Sequence, residues 1–202
     1  MVLRELGIEN TYLFFARKVI LVEGETDKVF LETVYERLKG RTMSASLIKV
    51  INIEGVQNVH GFAHAISELH NLANVYILAD NDASDETHKL DQKLDIPEAN
   101  LFTIGTQEFE DAFAPETIYE AWKKYLDISG CRCGKEWTLE AVRNLHQECT
   151  GDGTQKLSEA VCSLNRGSGK KMSKPNLGLA LGLYCTVETM PEVLNDLLSA
   201  IG

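Results

Sequence analysis

No apolar run in this 202-residue chain reaches the roughly 18 residues that a membrane-spanning helix needs. The amino-terminal stretch MVLRELGIENTYLFFARKV has no basic segment followed by an unbroken apolar core, so no secretory signal is expected. Cysteine is sparse and unpatterned: five residues, at 131, 133, 149, 162 and 185, without a repeated CxxC spacing. That points to reduced thiols and a cytoplasmic protein. The CRCG stretch offers half of a zinc site at most, because no second ligand pair accompanies it. Basic residues are outnumbered 20 to 30, giving a formal net charge of −10. This argues against a free-standing, high-affinity polyanion binder, whose phosphate affinity would come from Lys and Arg. Yet acids are absent between Ala160 and Val187, while Arg166, Lys170, Lys171 and Lys174 all fall there. An acidic body with one basic segment can still engage a polyanion locally.

Other absences narrow the chemistry. There is no internal repeat, no low-complexity linker, and no convincing Ser-His-Asp or Cys-His set. His60 and His64 are spaced i, i+4 but lack the HExxH pattern, so they read as a solvated helix face. NRGSGKKM is not a phosphate loop: GxxxxGK[ST] needs glycine at position 164 and a hydroxyl residue at 171, where the chain has Leu164 and Lys171.

What is present is an alternation of buried strands and amphipathic helices. Residues 18–23 (KVILVE), 46–53 (SLIKVINI), 74–80 and 100–105 (NLFTIG) read as strands that are apolar on both faces, as in a parallel sheet. Phe30, Leu31, Val34, Tyr35 and Leu38 mark one face of a helix ending near Gly40. Val56, Val59, Phe62, Ala63, Ile66 and Leu69 mark another, and Thr87 to Leu94 a short third. The pattern βαβαβαβ predicts a doubly wound α/β fold with a largely parallel four-stranded sheet over residues 18–114. A helical lead-in, residues 1–17, is expected before it and a helical C-terminal appendage, residues 115–202, after it. In that appendage Ile118, Tyr119, Trp122, Tyr125 and Leu126 share a helix face, so the aromatics read as core and not as a base-stacking platform. Further helices are expected over 138–149, 155–164, 176–187 and 191–201.

Acids gather where strands end. VEGETD places Glu23, Glu25 and Asp27 after the first strand, and LADND places Asp80 and Asp82 after the third. Glu108, Glu110 and Asp111 (QEFEDAF) follow the fourth. Ligands of open α/β sheets bind beyond the carboxyl ends of the strands, so these groups face one crevice. Taken singly, Asp27 could complement a helix N-terminus, and Asp82 or Asp85 could serve as an N-cap. Taken together, several carboxylates repel one another unless a cation neutralises them, and hard oxygen donors suit Mg²⁺ or Mn²⁺. Such ions clamp a phosphate and activate water for in-line attack.

VEGETD followed by LADND resembles the Toprim domain. LFFARKVILVEGETDKVFLE is most similar to the nuclease half of the OLD (overcoming lysogenization defect) family, with the resemblance covering residues 12–114. It implies a Toprim fold and metal-dependent cleavage or nicking of DNA with two ions. Glu23, Asp80 and Asp82 would hold metal, Asp27 would help hold a second ion, and Glu110 or Asp111 would complete that second site. Lys174, before Pro175, matches a lysine that the family places in its helical C-terminal part. The family carries an ATPase domain ahead of the nuclease; none lies in this chain, so an ATPase in a longer chain or a partner protein is expected. A homodimer stays open. Competing readings are a Toprim ribonuclease acting on RNA, a phospho-receiver-like Mg²⁺-binding module, and a degenerate Toprim used for assembly. A topoisomerase would need a larger gated body.

Overall fold

The computed structural model describes residues 15–53, 71–81, 96–152 and 155–202. The helices expected over 56–69 and 87–94 lie outside them, as do Asp82, Asp85, His60, His64 and most of the lead-in.

The four strands are β1 (Lys18–Val22), β2 (Ile48–Asn52), β3 (Val75–Asp80) and β4 (Leu101–Ile104). All pair in parallel in the order β2-β1-β3-β4, with Val22 opposite Asn52 and Leu78, and Asp80 opposite Ile104. Val19 to Val22 have no exposed surface, and Val75 to Ala79 are buried as well, which explains the unbroken apolar runs. Because β1 and β3 are neighbours, the chain segments leaving them emerge side by side.

Six helices are described: α1 (Glu25–Lys39), α2 (Pro115–Ile128), α3 (Leu139–Asp152), α4 (Leu157–Leu164), α5 (Lys174–Tyr184) and α6 (Glu192–Ile201). Gly40 closes α1 in a left-handed conformation at φ 67°. Leu38, expected on the apolar face of α1, is instead 39% exposed, one turn beyond the last buried pair Val34 and Tyr35. α5 begins two residues earlier than expected, because Pro175 fits the first turn of a helix and the Ser173 side chain caps the Asn176 N–H at 3.4 Å. Among the described residues no helix is long and apolar enough to cross a membrane.

The C-terminal helices share one core with the sheet. A single cluster runs from Ile20, Val22 and Leu78 through Trp122 and Val142 to Leu181 and Leu197. The tightest seam joins α5 to α1. A Cβ on Gly178 would lie 2.7 Å from the Thr26 carbonyl oxygen, and one on Gly182 would lie 2.8 Å from Thr33 Cβ. Arg37 reinforces the seam by donating from Nε to the Gly182 carbonyl at 3.0 Å and from Nη2 to the Cys185 carbonyl. Gly178→Val therefore forces the helices apart, with an expected loss of roughly 1–3 kcal/mol as for other overpacked interiors. Urea unfolding measures it, and an unchanged midpoint would contradict this packing.

Candidate active site

Glu23 follows β1 directly, and Asp80 is the last residue of β3. Their adjacency is explicit: the Asp80 backbone N–H donates to Glu23 Oε2 at 3.3 Å. Gly24 then opens α1, and its N–H donates to Asp27 Oδ2 at 2.9 Å. Asp27 is therefore a helix-start carboxylate, as a purely structural reading would have it. It is also 95% buried, which a capping role alone does not require.

β4 delivers the third group. Gly105, at φ 69°, turns the chain back so tightly that a Cβ there would sit 2.1 Å from the Glu108 carbonyl oxygen; only glycine fits. The following 3₁₀ turn, Phe109–Ala112, is pinned by Phe109 and Phe113 against Phe30 of α1, with ring centroids 5.2–5.3 Å apart. His146 of α3 holds it from the other side. Its Nε2 lies 3.2 Å from the Asp111 carbonyl and 3.1 Å from that of Phe113, so Nε2 carries the proton.

This turn sorts its three acids. Asp111 accepts the backbone N–H groups of Thr106, Gln107 and Glu108 at 2.6, 2.8 and 3.1 Å, which engages both of its oxygens. Glu108 accepts the Ser158 N–H at 2.6 Å, the Ser158 hydroxyl at 2.8 Å and Lys174 Nζ at 2.9 Å. Glu110 is different: its Oε1 is buried without a hydrogen-bond partner among the described residues. Such orphaned buried oxygens are uncommon in native proteins and call for an occupant.

The electrostatics agree. Burial pushes Asp27 up to about 7, against the Gly24 N–H bond and with repulsion from Glu23. Burial likewise pushes Glu110 up to about 7, helped by repulsion from Glu108 and Asp27. Burial pulls Lys174 down, but Glu110 and Glu108 outweigh it and hold the ammonium above the ordinary lysine value. In the unfolded chain Asp27 and Glu110 return to ordinary values of 3.8 and 4.5. Between those values and about 7 the folded state holds more protons than the unfolded one. Their contribution to stability is thus full at acidic pH and is lost as pH rises toward neutrality. In EDTA, the thermal midpoint of Glu110→Gln should fall less than that of the parent between about pH 5.5 and about pH 8. Equal falls would contradict the burial account.

The donor set fits a hard divalent cation. Glu23, Asp27, Asp80 and Glu110 offer only carboxylate oxygens, one of them orphaned, in a place where burial alone leaves two acids costly to ionise. Among the described residues no three such side chains close around one point. The structure does not test Asp82, which lies outside the described residues.

A parallel sheet with acids at its carboxyl edge, closed by helices, defines a Toprim-type α/β domain. Residues 14–82 match the family model described as overcoming lysogenization defect protein-like, TOPRIM domain. The chain is 23% identical over 173 residues to the Old nuclease of Escherichia phage P2, a match covering 82% of this chain. The match covers 29% of that relative's length. Two solved structures share the fold. The C-terminal region of the Xanthomonas campestris pv. campestris OLD protein gives a TM-score of 0.62 at 16% identity, covering 93% of this chain and 95% of that one. The C-terminal region of the Burkholderia pseudomallei OLD protein gives 0.58 at 18%, covering 93% and 97%.

Proposed function

We propose that this chain is a divalent-metal-dependent nuclease that hydrolyses phosphodiester bonds of DNA. The observation that carries the reading is the meeting of Glu23 and Asp80 at adjacent strand ends, with the orphaned Glu110 carboxylate and the Lys174 ammonium brought to the same acidic site. Glu23, Asp80 and Asp82 would hold one Mg²⁺ or Mn²⁺; Asp27 and Glu110 would hold a second. Of the two late acids left open by the sequence, Glu110 is our choice, because Asp111 spends both oxygens on backbone N–H groups. When bound, the ions neutralise phosphate charge and lower the pKa of an attacking water.

The chain's own residues do the rest. Glu23 couples the ends of β1 and β3, so acids from distant sequence positions share one edge. Asp27 and Glu110 are held rigidly by the α1 start and the phenylalanine cluster, which limits reorganisation during reaction. Lys174 would approach the phosphate and stabilise charge on its non-bridging oxygens. Lys171 and Arg166, exposed in the acid-free segment, would contact flanking phosphates. Lys170 contributes less there, since its ammonium donates to the Tyr125 hydroxyl at 2.7 Å and lies 4.2 Å from that ring's centroid. An ATPase, in a longer chain or a partner, would supply control.

End-labelled DNA and RNA oligonucleotides of one sequence, incubated with Mn²⁺, test the substrate class. DNA should be cut and RNA spared. Preferential cutting of RNA would make the protein a ribonuclease instead.

A further inference from the structure

Glu108 lies beside the proposed metal acids, yet its surroundings are those of an anchor. Its side chain is 2% exposed. Ser158, at the start of α4, grips it twice: the backbone N–H reaches Oε1 and the hydroxyl reaches Oε2. That two-point hold fixes the plane of the carboxylate and aims Oε2 at Lys174 Nζ, 2.9 Å away. Both oxygens therefore already carry donors, unlike Oε1 of Glu110.

Lys174 needs such a hold. Its side chain is 43% exposed, and a lysine stem with four rotatable bonds samples many positions in solvent. Its backbone is already set, because Ser173 caps α5, Pro175 occupies the first turn, and Gly178 locks the helix onto α1. The remaining freedom is in the side chain, and the Glu108 carboxylate removes it. The anchor joins three elements that are distant in sequence: the turn after β4, the start of α4 and the start of α5.

We propose that Glu108, clamped by Ser158, is the positioning residue of Lys174 and not a metal ligand. The clamp holds the ammonium where, on the nuclease reading above, the scissile phosphate arrives. The proposal rests on that reading for its catalytic consequence, but the clamp itself can be observed without any cleavage.

The test compares the parent chain with Glu108→Gln, Ser158→Ala, Lys174→Ala and the double variant Glu108→Gln/Lys174→Ala. The first readout is the ¹⁵N-edited ammonium resonance of Lys174 in the metal-free protein. It should be protected from solvent exchange in the parent and lost in Glu108→Gln and Ser158→Ala. The second is cleavage of labelled DNA at saturating Mn²⁺. Glu108→Gln should lower kcat about ten- to hundredfold, as a misplaced group does, with KM and Mn²⁺ affinity nearly unchanged. In the Lys174→Ala background the same change should have no further effect, because the two act as one unit. Ser158→Ala, a milder change that keeps both charges, should lower kcat in the same direction, and it serves if Glu108→Gln fails to fold.

A loss of Mn²⁺ affinity in Glu108→Gln would make Glu108 a ligand and overturn the proposal. So would unchanged kcat, or a full further loss in the double variant. A parent chain that shows the protected ammonium but cuts no DNA would remove the nuclease reading and leave the clamp standing.

Discussion

Asp80→Ala should abolish metal-dependent cleavage while leaving the fold intact. Asp80 ends the strand that lies between β1 and β4, so it sits where the two acid-bearing neighbours converge. The contact it makes to Glu23 runs through its backbone N–H, which alanine keeps. The strand register, set by Val75 to Ala79 and their buried partners, does not depend on the carboxylate. Removing one negative charge from an acidic crevice also relieves repulsion, so the thermal midpoint in EDTA should hold or rise. On the proposed reading, what would disappear is a metal ligand, and with it the neutralisation of phosphate charge and the activation of water. Circular dichroism, thermal melting and a cleavage assay on the same preparation check all three parts. Metal-dependent cutting by Asp80→Ala at the parent rate would rule out Asp80 as a ligand.

Lys174→Ala should reduce the cleavage rate by about a hundredfold or more, the usual cost of losing one preorganised charge-stabilising donor. On the proposed reading two cations held by the carboxylates would compensate the phosphate from one side, and Lys174 is the described ammonium drawn to the same acids, held between solvent and Glu108. Metal affinity should change little, because lysine is not a ligand at neutral pH. Lys171→Ala is the control: it should weaken DNA binding and lower its salt dependence while sparing the rate at saturation. If both variants gave the same modest loss, Lys174 would be one more phosphate contact.

Much of this arrangement can be read along the chain, and the reasons are local. VILV and VYILA are apolar on both faces, so their burial and parallel pairing follow from periodicity alone. Glu23 and Asp80 stand out because each ends such a run. The start of α5 is less legible: the apolar pattern begins at Leu177, whereas the cap at Ser173 and Pro175 extend the helix back to Lys174. The order β2-β1-β3-β4 depends on long-range pairing that no local pattern encodes.

The division of labour in QEFEDAF was illegible for a different reason. Glu108, Glu110 and Asp111 have the same chemistry and lie within four positions. What separates them is that Asp111 meets backbone donors, Glu108 meets Ser158 and Lys174, and Glu110 keeps a buried Oε1 without a donor among the described residues. Ser158, 50 residues away from Glu108, carries no motif that would mark it. The one usable signal is Phe109, an apolar residue between two glutamates, which tells of a turn with an inward face.

Incubation of the purified chain with supercoiled plasmid in Mg²⁺, Mn²⁺ or EDTA tests the central claim most directly. The carboxylate arrangement predicts conversion to nicked or linear DNA with either metal and none in EDTA. Equal conversion in EDTA, or intact plasmid at every metal concentration, would contradict it.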